Sequence, residues 1–262
     1  MDPFRRLTLL TGSGAAEALE KSRVIIVGVG GVGSWAAEAL VRSGIGSISL
    51  VDFDRVCVSN INRQAQASSS TLGRLKTEAL KERLEDINPS CRVASFPCLF
   101  SAKTAELFDI PGADFVIDAI DTLASKLDLI ESAMAAGRQL FSSMGMARKL
   151  DPTLIRTADI WDTSGCPLAR LVRQGLRKRN VSGHFTVVYS PERLPQGGSG
   201  CRDQEKTGEP DEGSKKPING SAVTVTASAG MVLASLVIRD VFAKFGSGRF
   251  GEASLQNGGH CG

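Results

Sequence analysis

The chain has 262 residues, of which 42% are hydrophobic and 23% are charged, and its formal net charge is +3. This length argues against two independent domains, and so small a charge identifies no class of partner. No apolar run reaches the roughly 18 to 20 residues that span a bilayer, and no secretory segment follows the N-terminus. We therefore expect a globular cytoplasmic protein.

Short β-branched runs alternate with helical patterns over the first 150 residues. Strands are predicted at Arg23–Val27, Ser47–Val51, Arg92–Phe96, 115–119 and Gln139–Ser143, with helices at 34–42, 72–87 and 123–136. This alternation predicts an α/β fold with a Rossmann-like, doubly wound, mostly parallel sheet.

The pattern changes after residue 151. A basic amphipathic helix is predicted at 168–179, a strand at 184–190, a last strand at 223–226 and a last helix at 228–244. We expect one nucleotide-binding domain over 1–262, with a Gly-rich half at about 1–150 and an elaborated C-terminal part at about 151–245. The polar tract 191–220 predicts a flexible loop, and 246–262 a frayed tail.

A glycine-rich turn lies directly between the first strand and the first helix. Its glycines are Gly28, Gly30, Gly31 and Gly33. Glycines permit a tight turn here and let backbone N–H groups approach a phosphate at the helix N-terminus. Asp52 ends the second strand and is predicted to bind a ribose hydroxyl, with Asp54 as the competing candidate.

The residues that follow decide between a dehydrogenase and a nucleotidyl-transfer enzyme. Nucleotidyl transfer needs cations on the triphosphate and a carboxylate for Mg²⁺, because the charge on the phosphoryl group must be neutralised. Arg63, Lys76 and Asp121 supply these parts at or beyond the carboxyl ends of predicted strands, where open α/β sheets bind ligands.

Four segments of the chain resemble the E1-like activating enzymes: GVGGVGSWAAEAL, LVDFDRVCVSNINRQ, LGRLKTEALKERLEDINP and VIDAIDT. The resemblance covers roughly residues 4 to 245. It implies that the glycine loop and Asp52 hold ATP and that Asp121 binds Mg²⁺. It also implies a homodimer in which Arg6 of one chain reaches the partner's phosphate site. The implied phosphate contacts are Asn60, Arg63, Gln64 and Lys76.

The second half indicates which branch of this family the chain resembles. Activators of sulfur carriers usually hold a zinc in two C-x-x-C pairs, and the six cysteines here form none, so no zinc is expected. The segment from Asp151 through the VVYS strand is similar to the tRNA threonylcarbamoyladenosine dehydratases. That resemblance implies adenylation of the threonylcarbamoyl carboxylate on the adenosine at position 37 of tRNA, then cyclisation with release of AMP.

A basic run without an intervening acid follows in the predicted amphipathic helix. It is suited to contacts with tRNA phosphates, although a solvated helix face is the alternative. The run consists of Arg170, Arg173, Arg177, Lys178 and Arg179.

Three other functions compete with the dehydratase. They are an activator of a ubiquitin-like sulfur carrier, a non-catalytic nucleotide sensor and a nicotinamide oxidoreductase. Some members of the family have a cysteine just before the last strand and helix, whereas this chain has Asn219-Gly220-Ser221, so no thioester is expected at that position. Cys166 and Cys201 remain as weaker candidates for thiol carriers. The sequence leaves open a monovalent-cation requirement and accessory sulfur-transfer proteins.

Overall fold

A computed structural model describes residues 2–193 and 219–246. Most of the expected loop at 191–220 and nearly all of the expected tail at 246–262 lie outside the described residues. Cys201 also lies outside them.

The described residues form one seven-stranded sheet with the order β3-β2-β1-β4-β5-β7-β6. The strands are β1 Arg23–Val27, β2 Ser47–Val51, β3 Arg92–Phe96, β4 Phe115–Asp118, β5 Gln139–Ser143, β6 Arg156–Asp159 and β7 Thr186–Tyr189. Every pair is parallel except β6 with β7. The predicted doubly wound, mostly parallel sheet is confirmed.

Helices cover both faces of this sheet. They are α1 Arg5–Thr11, α2 Ser13–Lys21, α3 Gly33–Arg42, α4 Lys76–Ile87, α5 Leu123–Ala135, α6 Pro167–Lys178 and α7 Val223–Phe245. Side chains alternate along each strand, so Ile26 and Ile117 pack in the core layer of α3 and α7. Their neighbours Val27 and Val116 pack on the opposite face, in the layer of α5 and α6.

Three predicted boundaries were wrong for identifiable reasons. The helix predicted from residue 72 begins at Lys76, because Leu75 forms an antiparallel bridge with Arg55. The predicted last strand at 223–226 is the first turn of α7. Its β-branched residues favour a strand locally, but tertiary packing overrides that preference. For the same reason the last helix begins at Val223 rather than at residue 228. The remaining predicted elements agree with the structure to within about two residues at each end.

Helix α7 packs closely against α3 at Gly230. A Cβ on Gly230 would lie 2.5 Å from the carbonyl oxygen of Val32, so only glycine lets the two helices approach this far.

Helices α1 and α2 and strand β6 were not predicted. The β6 sequence Arg-Thr-Ala-Asp has no apolar alternation that could reveal a strand.

Helix α7 is the one candidate membrane span among the described residues, by length and composition alone. The expectation that no apolar segment is long enough was therefore wrong. Val225, Leu233 and Val237 of α7 are nevertheless fully buried within the core layer that contains α3. The core helix of a globular protein meets the same length and hydropathy criteria.

Candidate nucleotide-binding site

The glycine loop lies at the carboxyl end of β1, between the ends of β2 and β4. Gly28 has a φ of +87°, which favours glycine, and its N–H donates to Val51 O at 2.8 Å. A Cβ on Gly28 would lie 2.6 Å from the carbonyl oxygen of Ala119, and a Cβ on Gly33 would overlap Gly28 O. Side chains at these two positions would therefore clash with backbone atoms. The loop from Gly28 to Gly33, here called the glycine cradle, leads directly into α3, and N–H groups at such a helix N-terminus favour phosphate binding.

Asp52 is bound directly to this loop. Its Oδ2 accepts from the Val29 N–H at 2.8 Å, and its Oδ1 accepts from the Asp54 N–H at 2.9 Å. Burial raises the pKa of the Asp52 carboxyl, while the positive charge of Lys76 and the two N–H donors oppose that rise. Each carboxylate oxygen keeps a further lone pair with which it can accept a ribose hydroxyl.

Lys76 and Asp54 form an ion pair beside Asp52. The Lys76 side chain is nearly buried, and its Nζ lies 2.6 Å from Asp54 Oδ2. In this structure Asp54 therefore contacts the lysine, whereas Asp52 contacts the glycine loop. The two candidate acids thus differ in the groups that they bind. The ion pair with Asp54 holds the ammonium of Lys76 near the end of β2.

Arg63 lies on the other side of the loop. A Cβ on Gly31 would lie 3.2 Å from Arg63 Cγ and 3.2 Å from Thr226 Cβ, so the first turn of α7 and Arg63 both flank the glycines. The Arg63 guanidinium donates to Ser59 O at 2.7 Å and to Asn62 Oδ1 at 2.9 Å. These bonds fold the guanidinium back onto its own loop.

Two side chains that the sequence did not single out support the Arg63 segment. The indole N–H of Trp35, on α3, donates to Arg63 O at 3.0 Å. Asn62 Nδ2 donates to Ser221 O at 3.0 Å, which links the loop to the residues just before α7. A single tryptophan or asparagine carries no spacing signal, so only the structure identifies these roles.

The predicted residues Asn60 and Gln64 are buried on the inner side of the same loop. Asn60 Oδ1 accepts from the Cys57 N–H at 3.1 Å. Gln64 Oε1 accepts from Gln66 Nε2 at 3.4 Å, and that Nε2 also donates to Val29 O at 2.8 Å. Gln66 Oε1 is buried and has no hydrogen-bond partner among the described residues. Gln66, which was not predicted, thus ties this loop to the glycine loop.

Asp121 lies in the loop after β4, at the same edge of the sheet. Its side chain is exposed, and its Oδ1 accepts from Thr122 Oγ1 at 3.3 Å. Three residues earlier, Asp118 ends β4 in full burial and pairs with Lys126. The sequence predicted Asp121 but gave no reason to pair Asp118 with Lys126.

Arg6 is exposed on α1, and its neighbours lie near the opposite edge of the sheet. A Cβ on Gly44 would lie 3.3 Å from the Phe4 ring, and Gly46 N–H donates to Leu19 O at 3.1 Å. Both glycines precede β2, so they lie at its amino end. A five-residue strand is about 17 Å long, which separates this edge from the glycine loop.

The basic run lies on α6, as predicted, but three of its five side chains already have partners. Arg173 donates to Thr163 Oγ1, and the Arg177 guanidinium lies 5.3 Å from the centre of the Trp161 ring. Arg179 pairs with Asp128 at 2.8 Å and Glu131 at 2.5 Å, both on α5. Arg170 and Lys178 are exposed and have no ion-pair partner within 2–193 and 219–246.

Within the described ranges, no group of three or more His, Cys, Asp or Glu side chains could hold a metal ion. Cys166 is only 4% exposed, at the start of α6. A buried thiol is poorly placed to carry an acyl or sulfur group.

The chain is similar to known proteins over most of its length. The family model described as the ThiF family matches residues 4–256. A tRNA threonylcarbamoyladenosine dehydratase of Bacillus subtilis (strain 168) is 44% identical over 189 residues, which cover 72% of this chain and 74% of that relative.

Two solved structures are similar to this chain in fold over most of its length. Escherichia coli tRNA N6-threonylcarbamoyladenosine dehydratase in complex with AMP has a TM-score of 0.81 and 33% identity, covering 92% of this chain and 94% of that chain. The same enzyme in complex with ATP has a TM-score of 0.80 and 34% identity, with the same coverage.

Proposed function

The chain belongs to the ThiF family of E1-like activating enzymes, and from this membership we propose that it catalyses the ATP-dependent dehydration of threonylcarbamoyladenosine in tRNA. The strongest support is that the similarity to dehydratases extends beyond the ATP-binding half. The match with the E. coli structures covers 92% of the chain, and therefore most of its second half as well. We infer that the chain is one domain, because β7 of the second half pairs with β5 of the first.

ATP fits the glycine cradle. Because the glycines carry no side chains, a phosphate can approach the N–H groups at the start of α3 closely. Asp52 accepts the ribose hydroxyls from its position against Val29. The buried Oε1 of Gln66, which has no hydrogen-bond partner within 2–193 and 219–246, is a further acceptor behind the same loop.

Adenylation joins the substrate carboxylate to the α-phosphorus of ATP and releases pyrophosphate. Lys76 and Arg63, on opposite sides of the glycine loop, neutralise the phosphate charge. Lys76 now pairs with Asp54, and Arg63 now donates to Ser59 O. Each cation must give up at least part of this contact in order to bind phosphate oxygens. Asn60 and Gln64 shape the loop that carries Arg63.

Asp121 is the carboxylate proposed to hold Mg²⁺. One exposed carboxylate suits Mg²⁺, which commonly takes one or two carboxylates and completes its coordination with water and substrate phosphates. When bound, the ion neutralises negative charge on the phosphates during transfer.

Cyclisation follows within the substrate. A nucleophilic group of the modified nucleoside attacks the activated carbonyl carbon and gives up its proton to solvent, while the C–O bond to AMP breaks and AMP leaves with the former carboxylate oxygen. The step needs no protein nucleophile. The chain's part is to hold the acyl-adenylate away from water and to keep the AMP phosphate bound to Lys76 and Arg63.

A homodimer would supply the remaining cation. Arg6 lies near the edge of the sheet opposite its own glycine loop, so it would act in the site of the partner. Leu9 and Leu10, on the same helix, are 77% and 67% exposed. Such exposed leucines favour an apolar interface around α1.

The tRNA would lie along α6. Arg170 and Lys178 have no ion-pair partner among the residues that the structure describes, and Arg177 remains exposed above Trp161. Arg173 and Arg179 are bound within the fold and contribute less to phosphate binding. A tRNA substrate implies work in the cytoplasm.

The purified chain, incubated with ATP, Mg²⁺ and tRNA that carries threonylcarbamoyladenosine, tests the function. Loss of one water from the nucleoside, measured by mass spectrometry, with an equal amount of AMP formed, is the expected result. An unchanged nucleoside, together with adenylation of a carrier protein ending in Gly-Gly, would replace the dehydratase with a sulfur-carrier activator.

A further inference from the structure

Lys126 and Asp118 form an ion pair in full burial beneath the loop that carries Asp121. Both side chains are 0% exposed, and Lys126 Nζ lies 2.6 Å from Asp118 Oδ2. The ammonium also donates to Ser143 O at 2.9 Å and lies 3.4 Å from Ser142 Oγ. All three ammonium protons therefore have acceptors.

The pair joins three elements at the carboxyl edge of the sheet. Asp118 ends β4, Ser142 and Ser143 end β5, and Lys126 lies in the first turns of α5. Ser142 Oγ donates to Asp118 Oδ2 at 2.6 Å. Asp118 Oδ2 thus accepts hydrogen bonds from both the lysine and the serine.

The other carboxylate oxygen acts on the backbone. Asp118 Oδ1 accepts from the Ile120 N–H at 3.1 Å, two residues along the chain. This bond turns the chain immediately after β4. Ala119, within this turn, lies against the glycine loop: a Cβ on Gly28 would lie 2.6 Å from Ala119 O, and the Ala119 N–H donates to Val27 O at 2.9 Å. Asp121 directly follows Ile120 in the chain.

Stability alone does not account for a buried ion pair. Desolvation of two charges offsets most of their attraction, and apolar replacements of such pairs are often neutral or stabilising. We propose that Asp118, with its charge balanced by Lys126, is a positioning residue that fixes the turn carrying Asp121, at the edge of the sheet where the glycine loop lies, through the Ile120 N–H. The inference rests on the proposed role of Asp121 in binding Mg²⁺ and ATP.

A single Lys126→Met variant leaves a buried carboxylate without its cation and is expected to unfold, so two double variants are compared. Asp118→Asn with Lys126→Met removes both charges and keeps an oxygen that accepts from the Ile120 N–H. Asp118→Val with Lys126→Met removes the charges and the acceptor. Thermal unfolding by circular dichroism establishes that both are folded at the temperature of the binding experiment.

The measurement is the affinity for ATP with and without Mg²⁺, by titration calorimetry. We expect the Asn variant to retain the wild-type gain in affinity from Mg²⁺, and the Val variant to lose about 10-fold to 100-fold in Mg²⁺-dependent affinity, the loss typical when a group that supports a metal-binding side chain is removed. Equal affinities in the two variants, at the wild-type level or equally weakened, would overturn the inference.

The readout requires no tRNA, so it separates this inference from the proposed function. A wild-type chain that binds Mg²⁺ and ATP but dehydrates no tRNA would refute the function alone. An active wild type whose two double variants bind alike would refute the positioning role alone.

Discussion

The nucleotide-binding edge and the outer face of α6 use charged side chains in opposite ways. At the nucleotide edge, Asp52, Lys76 and Asp118 are largely withdrawn from water, and backbone N–H groups or opposite charges hold each of them. On α6, Arg170 and Lys178 project into solvent, while Arg179 is bound by two carboxylates of α5.

This difference shows which charges depend on geometry. A buried charge pays a desolvation cost, so its partners must be fixed, and its function depends on exact placement. An exposed charge acts through its field and is screened by salt. We therefore expect substitutions at the nucleotide edge to cost orders of magnitude in activity, and those on α6 to cost little each.

Lys76→Ala should have the largest effect. Loss of a cation that stabilises the transferring phosphoryl group lowers AMP formation about 100-fold to 1,000-fold. The matched control is Lys81→Ala on the same helix, where the lysine makes only a 3.9 Å pair with Glu85. AMP formation near the wild-type rate in Lys76→Ala would remove Lys76 from the mechanism.

Arg6→Ala should reduce AMP formation about 100-fold if Arg6 stabilises the transferring phosphoryl group of the partner. Mixing it with Arg63→Ala chains tests this directly. Random exchange makes about half of the dimers mixed, and each mixed dimer has one intact site of two, so about a quarter of wild-type activity should return. Absence of recovery in mixtures shown to exchange subunits would place Arg6 outside the partner's site.

Asp52→Asn should weaken ATP binding about 30-fold, since a hydrogen bond to a charged group contributes about 2 kcal/mol. The wild type should also lose ATP affinity on acidification, measured by titration calorimetry. Because burial raises the Asp52 pKa, protonation removes the acceptor at a higher pH than for an ordinary aspartate.

The sign of the linked stability separates this loss from unfolding. A raised pKa means that the folded chain holds the proton more tightly than the unfolded chain, so Asp52 favours folding at low pH and opposes it as pH rises. Acidification through this pKa should weaken ATP binding without destabilising the fold through Asp52. An ATP affinity independent of pH down to the ordinary aspartate range would contradict the role of the carboxylate.

The smallest effects should come from α6. Arg170→Gln and Lys178→Gln should each weaken tRNA binding modestly and reduce the slope of log affinity against log salt by about 1. Arg179→Gln is the matched control, because its guanidinium is bound to Asp128 and Glu131. It should leave the salt slope unchanged and lower stability by less than about 1 kcal/mol. The opposite ranking of slopes would place the tRNA elsewhere.

Local sequence patterns were sufficient to predict the glycine loop and the acid beside it. The glycine turn between strand and helix and the acid at the end of β2 are separated by short, regular stretches of chain, so spacing alone placed Asp52 at the glycine loop. Spacing did not distinguish the partners of the neighbouring acid. Asp54 was a competing ribose candidate, and its ion pair with Lys76 appears only when the start of α4 packs against the end of β2.

The sequence by itself determined the parallel sheet, the glycine cradle, the predicted edge for the catalytic groups and the basic character of α6. These depend on periodicity and on residue types within about 20 positions of one another. Tertiary structure alone decided that 223–226 is helical, that Arg179 is bound to α5, and that Lys126 supports Asp118. The reason is physical: burial and pairing depend on neighbours that fold together from distant parts of the chain, and local spacing does not encode those contacts.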